Sequence, residues 1–166
     1  MEDVLSPLES RVERLAAALL ARSATLATAE SCTGGLVAAA CTGQPGSSVW
    51  FERGFVTYSN AAKREMLGVA ADLIDAHGAV SGQVAAAMAE GALDRSPATY
   101  AVAVTGIAGP GGATPGKPVG TVWIAVGERG VAAVPTLLQA SGDRAAIRAQ
   151  TVLTAFDLLL ARLGVG

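Results

Sequence analysis

Thr25-Leu26-Ala27-Thr28-Ala29 runs directly into Glu30-Ser31-Cys32-Thr33-Gly34-Gly35, and that into Leu36 to Cys41. The first five residues are apolar or β-branched, the middle six carry the turn formers, and the last six are apolar and Ala-rich. This order predicts strand, tight turn, helix. A strand that passes straight into a helix is the building unit of α/β proteins.

The flanking segments extend the pattern. Upstream, Glu9 to Arg22 places Val12, Leu15, Ala16, Leu19 and Leu20 at helical spacing, which predicts an amphipathic first helix. Downstream, after a turn at Gln44-Pro45-Gly46, Val49 to Arg53 and Gly54 to Tyr58 read as extended, either a hairpin or one strand bent at Gly54. Asn60 is expected to cap a helix through Met66 that Gly68 stops, and Asp72 to Ala76 forms a short helical piece. Ser81 reads as the N-cap of a small-residue helix, Gly82 to Leu93. Thr99 to Val104 is a continuous apolar strand, the kind buried on both faces of a sheet. Thr121 to Val126 and Val131 to Leu138 form strands around Gly127-Glu128-Arg129-Gly130, and Gly142-Asp143 opens a last helix to Leu163. The expectation is an α/β fold: a three-layer α/β/α sandwich with a mixed sheet, in one domain over residues 1–166.

Composition narrows the function classes. The chain has 166 residues, 51% hydrophobic and 4% aromatic, with 35 Ala and 20 Gly. The core is therefore built from Ala, Val, Leu and Ile, and neither disorder nor a disulfide scaffold fits. Twelve basic and fourteen acidic residues give a net charge of -2 with no basic run, so no nucleic-acid partner is expected. Glu2, Asp3 and Glu9 precede the first apolar stretch, contrary to a secretory signal. The uncharged windows Ser31 to Phe51 and Ser96 to Gly116 are broken by Gly, Pro, Ser and Thr, so no membrane association is expected and a cytoplasmic location is. Cys32 and Cys41 read as two small buried residues on one helix, and a single His77 leaves no multi-His metal centre. Ten Arg stand against two Lys, Lys63 and Lys117, so an amine has been kept at only two positions.

Four segments could carry chemistry. Ser31 at a strand-to-helix turn meets backbone N–H groups suited to an oxyanion, and it is either a nucleophile or, like Thr33, a helix cap. The spacing is not the G-x-S-x-G of a hydrolase elbow. Tyr58 ends an extended piece and Lys63 falls in the next helical turn, which makes Ser31, Tyr58 and Lys63 a candidate amidase trio if they share one sheet edge. Lys63 serves as base only if desolvated or placed beside another positive centre. Otherwise it is a surface cation paired with Glu30 or Glu65. The segment from Thr105 to Gly120 holds six Gly and three Pro, a loop long enough to be functional and able to cradle phosphate, though it is neither a Walker A loop nor G-x-G-x-x-G. Arg144 and Arg148, four apart, are either surface charge or a clamp for an anion.

Taken together, TAESCTGGL (28–36), PGSSVWFERGFVTYSNAAK (45–63), LGV (67–69), HGAVS (77–81), AVTGIAGPGG (103–112), KPVGTVWIA (117–125) and GDRAAIR (142–148) resemble the CinA C-terminal domain family, the bacterial nicotinamide-nucleotide amidohydrolases. The resemblance implies a compact α/β/α domain. It also implies hydrolysis of the carboxamide of nicotinamide mononucleotide to nicotinate mononucleotide and ammonia, in the pyridine nucleotide cycle, without metal or redox cofactor. By position it assigns the nucleophile to Ser31 and the assisting groups to Tyr58 and Lys63, with Tyr58 orienting Lys63 and the backbone around Cys32, Thr33 and Gly34 holding the oxyanion. For the substrate the candidates are Glu30, Thr105, Gly106, Gly109, Gly111, Gly112, Arg144 and Arg148, with the Gly-rich loop ranked first for the phosphate.

Ala61, Ala113 and Gly116 depart from the common family pattern, and they bear on the loop rather than the trio. Family members also occur behind a larger N-terminal domain related to molybdopterin-binding proteins, and the resemblance leads one to expect the stand-alone form here. The competing readings are a non-catalytic nucleotide-binding or regulatory module and an amidase for another carboxamide. Gly82 to Leu93 and an exposed Trp50-Phe51 are the segments expected to serve any homo-oligomer contact.

Overall fold

The computed structural model describes residues 5–166; Glu2 and Asp3, used above against a secretory signal, lie outside them. The elements run α1 (Pro7–Ala21), β1 (Leu26–Glu30), α2 (Leu36–Thr42), β2 (Phe51–Val56), α3 (Asn60–Leu67), α4 (Ala71–His77), α5 (Gly82–Asp94), β3 (Tyr100–Gly106), β4 (Thr121–Glu128), β5 (Val131–Gln139) and α6 (Arg144–Arg162). Strand, tight turn and helix stand where Thr25 to Cys41 predicted them. Ser47–Val49 forms one 3₁₀ turn, so the two extended pieces around Gly54 are a single strand rather than a hairpin.

The five strands are ordered β2-β1-β3-β4-β5. β1 pairs parallel with β2 and with β3, whereas β4 and β5 are antiparallel, so the sheet is mixed as expected. Side-chain alternation divides the core into two. Leu26, Tyr100, Val102, Val104, Val122, Ile124 and Val126 face α1, α2 and α6, where Leu15, Leu19, Phe156 and Leu159 close the layer. Ala27, Ala29, Ala101, Ala103 and Ala125 face α5. Methyl groups on that face let α5 lie close to the strands, and Val84, Met88 and Ala92 fill the space.

Close approach recurs where α3 meets α5. A Cβ on Gly91 would stand 2.1 Å from the Leu67 carbonyl oxygen, so only glycine allows that crossing. Gly82, Ala85, Ala89, Gly91 and Ala92 of α5 are buried inside the molecule, whereas Ala86 and Ala87 are half-buried. Trp50 is a correction, because it is 1% exposed and sits in the core with its ring edge-on to Phe51.

Helix starts follow local chemistry. Ser6 and Glu9 make a capping box on α1 behind Pro7, Ser81 caps α5, and Asp143 caps α6. Ser59 rather than Asn60 caps α3, its hydroxyl accepting from the Ala62 amide, and Asn60 becomes the first helical residue.

Because β1 lies between β2 and β3 and runs parallel to both, the C-terminal ends of β1, β2 and β3 share one sheet edge. The crevice between β1 and β3 is the topological switch point where α/β sheets hold ligands. Ser31, Tyr58 and Gly106 all emerge there.

Candidate active site

The turn after β1 bends sharply enough to need glycine twice. Gly34 has φ +57° and Gly35 has φ +108°, the latter closed to L side chains. The turn is pinned from three directions. The Ser31 amide donates to Val104 O at 3.0 Å, and the Gly34 amide donates to Ser31 O at 3.0 Å. Beneath it, Glu30 is buried and accepts from the Thr33 hydroxyl at 2.6 Å and from the Val37 and Ala38 amides at 2.8 and 3.0 Å. From α6, Arg148 donates to the carbonyls of Cys32 and Thr33 at 3.1 and 3.2 Å.

Two of the candidate substrate ligands are therefore occupied elsewhere. Glu30 holds the start of α2 and Arg148 holds the turn, and neither side chain lines the pocket at the sheet edge. The signal for Glu30 was present in the sequence: a carboxylate just before a Gly-rich helix start is placed to collect its N–H groups.

Lys63 is the feature of the site that departs most from ordinary lysine chemistry. It projects from α3 into the crevice and is 1% exposed. Its Nζ lies 3.0 Å from Thr57 O, 3.2 Å from Tyr58 O and 3.1 Å from Ser31 Oγ, with no carboxylate in contact. Neither Glu30 nor Glu65 pairs with it among the described residues. Burial holds its pKa below the ordinary 10.5, opposed only weakly by the nearby Cys32. A neutral amine has two N–H groups and one lone pair. Nζ donates to all three oxygens; on losing a proton it would keep its two N–H groups for the carbonyls and turn its lone pair to Ser31 O–H.

Tyr58 reaches this centre through its backbone alone. Its ring is 63% exposed, and its phenol oxygen accepts from Arg144 at 3.3 Å rather than touching Lys63. The expected orientation of Lys63 by Tyr58 is thus performed by a carbonyl, since the phenol points to the mouth of the pocket.

The expected oxyanion donors also separate. Among the described residues the Cys32 amide, at the pocket, has no acceptor. Thr33 is fully buried, and the Gly34 amide is already bonded to Ser31 O. Burial pushes the Cys32 thiol up to about 11, so it is no competing nucleophile at neutral pH. Cys32 lies in the turn rather than on α2, where Cys41 does lie, and both are free.

From the Gly-rich loop, Thr105, Gly106 and Ala108 line the pocket, whereas Gly111 and Gly112 lie exposed outside it. Thr105 donates to Ala79 O at 2.8 Å, and Gly109 presents a carbonyl, accepting from Arg144 at 2.8 Å. Among the described residues the Ala108, Gly109, Gly111 and Gly112 amides have no backbone acceptor, and of these residues only Ala108 lines the pocket. The turns of the loop close on themselves through Thr114–Lys117 and Gly120–Ile107 bonds, and Lys117 ties it to the end of α4 by donating to His77 O at 2.7 Å. Asn60, Ala79 and Val80 complete the lining; they fall within the stretches 45–63 and 77–81 but were not among the expected site residues.

Fold and site define a three-layer α/β protein with a buried serine–lysine pair at the switch edge of its sheet. The chain belongs to the CinA C-terminal domain family, whose model matches residues 8–163. It is 51% identical over 156 residues to the nicotinamide-nucleotide amidohydrolase PncC of Pseudomonas putida, covering 94% of this chain and 97% of that protein. The Escherichia coli K12 protein of the same name is 51% identical over 147 residues, 89% of each chain. A CinA-like protein of Mycolicibacterium vanbaalenii is 53% identical over 147 residues, which are 34% of its length. The crystal structure of the competence/damage inducible protein CihA from Agrobacterium tumefaciens superposes with a TM-score of 0.92 at 45% identity, over 99% of both chains. Among the described residues no helix is long and apolar enough to cross a membrane.

Proposed function

We propose that this protein hydrolyses the carboxamide of nicotinamide mononucleotide to nicotinate mononucleotide and ammonia, with Ser31 as nucleophile. Amidohydrolase chemistry is what the names of its P. putida and E. coli relatives describe. The observation that carries the reading is the buried Lys63 amine 3.1 Å from Ser31 Oγ, its pKa lowered by burial.

In this mechanism Ser31 Oγ attacks the carboxamide carbon as its proton passes to Lys63 Nζ. The Cys32 N–H stabilises the oxyanion. The tetrahedral intermediate collapses, Lys63 returns the proton to the leaving nitrogen, and ammonia departs. Lys63 then removes a proton from water as the water attacks the acyl-enzyme, releasing the carboxylate and restoring Ser31. Arg144, at the mouth beside the exposed Tyr58 ring, is the partner for the substrate phosphate.

The test is ammonia release from nicotinamide mononucleotide by the wild type and by Ser31→Ala, with nicotinamide and its riboside as comparison substrates. Release by the wild type and none by the variant is expected. An inactive wild type, or equal release from both proteins, would refute the reading.

A further inference from the structure

Arg148 and Arg144 sit one helical turn apart on α6, yet only Arg144 lines the pocket. Arg148 is half-buried and spends its guanidinium on two carbonyls of the nucleophile turn, Cys32 O and Thr33 O. An arginine turned away from a site whose substrate is anionic requires another explanation, and the connectivity of the turn supplies one.

The Thr33 carbonyl belongs to the peptide unit whose other end is the Gly34 N–H. That N–H donates to Ser31 O at 3.0 Å. The Ser31 carbonyl in turn belongs to the peptide unit that ends in the Cys32 N–H, the pocket amide with no acceptor among the described residues. The sequence of bonds is therefore guanidinium to Thr33 C=O, Gly34 N–H to Ser31 C=O, then Cys32 N–H open to the site. Trans peptide planarity fixes each C=O antiparallel to its N–H, so the dipoles of the chain add. A cation at the head of such a chain polarises each link in the same sense, and in surroundings of low dielectric the effect is passed on rather than screened.

We propose that Arg148 is a positioning residue for the oxyanion site: it strengthens the Cys32 N–H as a donor through the two peptide units between them, and it contacts no substrate. The inference rests on the serine mechanism proposed above. Its second bond, to Cys32 O, fixes the orientation of the turn in the same act. Glycine at position 34 suits the turn through its φ of +57°, and Arg148 Nη2 lies at ordinary contact distance from where a Cβ would stand.

The distinguishing property is a split between kcat and KM. Removing an oxyanion donor outright costs about 10²- to 10³-fold in kcat, and weakening one costs less. Arg148→Gln, with no charge, is expected to lower kcat for nicotinamide mononucleotide about 10- to 100-fold and to leave KM within about threefold. Arg148→Lys restores the charge to one carbonyl and is expected to recover part of the loss. Thermal melting accompanies both variants, and the expected melts are native-like. A rise in KM at unchanged kcat would make Arg148 a substrate ligand and overturn the proposal. So would full activity in Arg148→Gln, an Arg148→Lys as slow as Arg148→Gln, or loss of the native melt in both variants, which would make the role one of folding. An active Ser31→Ala refutes the serine mechanism instead, whereas an inactive Ser31→Ala beside a fully active Arg148→Gln refutes the relay alone.

Discussion

Lys63 Nζ lies 3.1 Å from Ser31 Oγ while two backbone carbonyls, Thr57 O and Tyr58 O, occupy the other faces of the amine. The arrangement suits a base and suits a permanent cation poorly, because carbonyls solvate N–H groups without supplying a countercharge. Arginine stays protonated under all working conditions and cannot accept the Ser31 proton. Lys63→Arg is therefore expected to lower kcat by about 10²- to 10⁴-fold, the usual worth of a positioned base. In the wild type kcat/KM should rise with pH as Lys63 loses its proton and level off below the ordinary lysine value of 10.5, since burial has lowered its pKa. A pH–rate profile checks this, and a limb still rising beyond 10.5 would contradict it.

The same shift has a stability consequence whose sign can be worked out. The folded-state pKa of Lys63 is below the ordinary 10.5, so between the two values the unfolded chain binds more protons than the folded one. Stability then rises with pH across that window and falls as pH drops through it. Lys63→Met removes the titrating group. Melting curves between about pH 7 and pH 10 should show the wild type gaining on the Met variant as pH rises. Parallel curves for the two proteins would mean that Lys63 is not held neutral.

Arg144 is the arginine that lines the pocket among the described residues, and it donates to Gly109 O and the Tyr58 phenol at the mouth. A charge-assisted bond to phosphate contributes about 1.5–3 kcal/mol. Arg144→Met should accordingly raise KM for nicotinamide mononucleotide about 10- to 100-fold with kcat little changed, and should leave hydrolysis of the unphosphorylated riboside as it was. Tyr58→Phe, which removes only an acceptor from Arg144, should shift KM within about threefold and spare kcat. Steady-state kinetics on both substrates decide it. A large fall in kcat for Tyr58→Phe would return the phenol to the chemistry.

The sequence and the structure diverge at identifiable places. Thr25 to Cys41 disclosed strand, turn and helix because apolar periodicity and the Gly pair are local signals, and the three chemical side chains Ser31, Tyr58 and Lys63 were visible as types and spacings. What spacing could not show was direction. Whether Tyr58 offers its phenol or its carbonyl to Lys63 depends on how β2 ends, and whether Arg144 or Arg148 enters the crevice depends on the rotation of α6 about its axis. The Gly-rich loop read as a phosphate cradle from composition; its Thr114–Lys117 and Gly120–Ile107 bonds use amides beyond Gly112, and only Thr105, Gly106 and Ala108 of the loop line the pocket. Lys117, the second of the two lysines, proves to be a tether to His77 O rather than a site residue. Trp50 looked exposed next to Phe51 because nothing in the sequence reveals that the short turn Ser47–Val49 swings it under α1 and α6.

Catalysis also depends on how closely α3 packs, because α3 carries Lys63. It crosses α5 where a Cβ on Gly91 would meet Leu67 O at 2.1 Å and Leu67 Cβ at 3.0 Å. Gly91 itself has a helical setting, so alanine is favoured there by intrinsic propensity by about 1 kcal/mol. Steric conflict with rigid backbone outweighs this. Overpacking of that kind costs about 1–3 kcal/mol, and at this chain length each kcal/mol lowers Tm by about 2–4 °C. Gly91→Ala should therefore melt lower by about 2–12 °C. Because the strain is relieved by pushing α3 away from α5, Lys63 Nζ should also draw off Ser31, lowering kcat in a protein whose pocket residues are all intact. A variant that melts as the wild type does, with unchanged kcat, would show that the α3–α5 contact has room the structure does not contain.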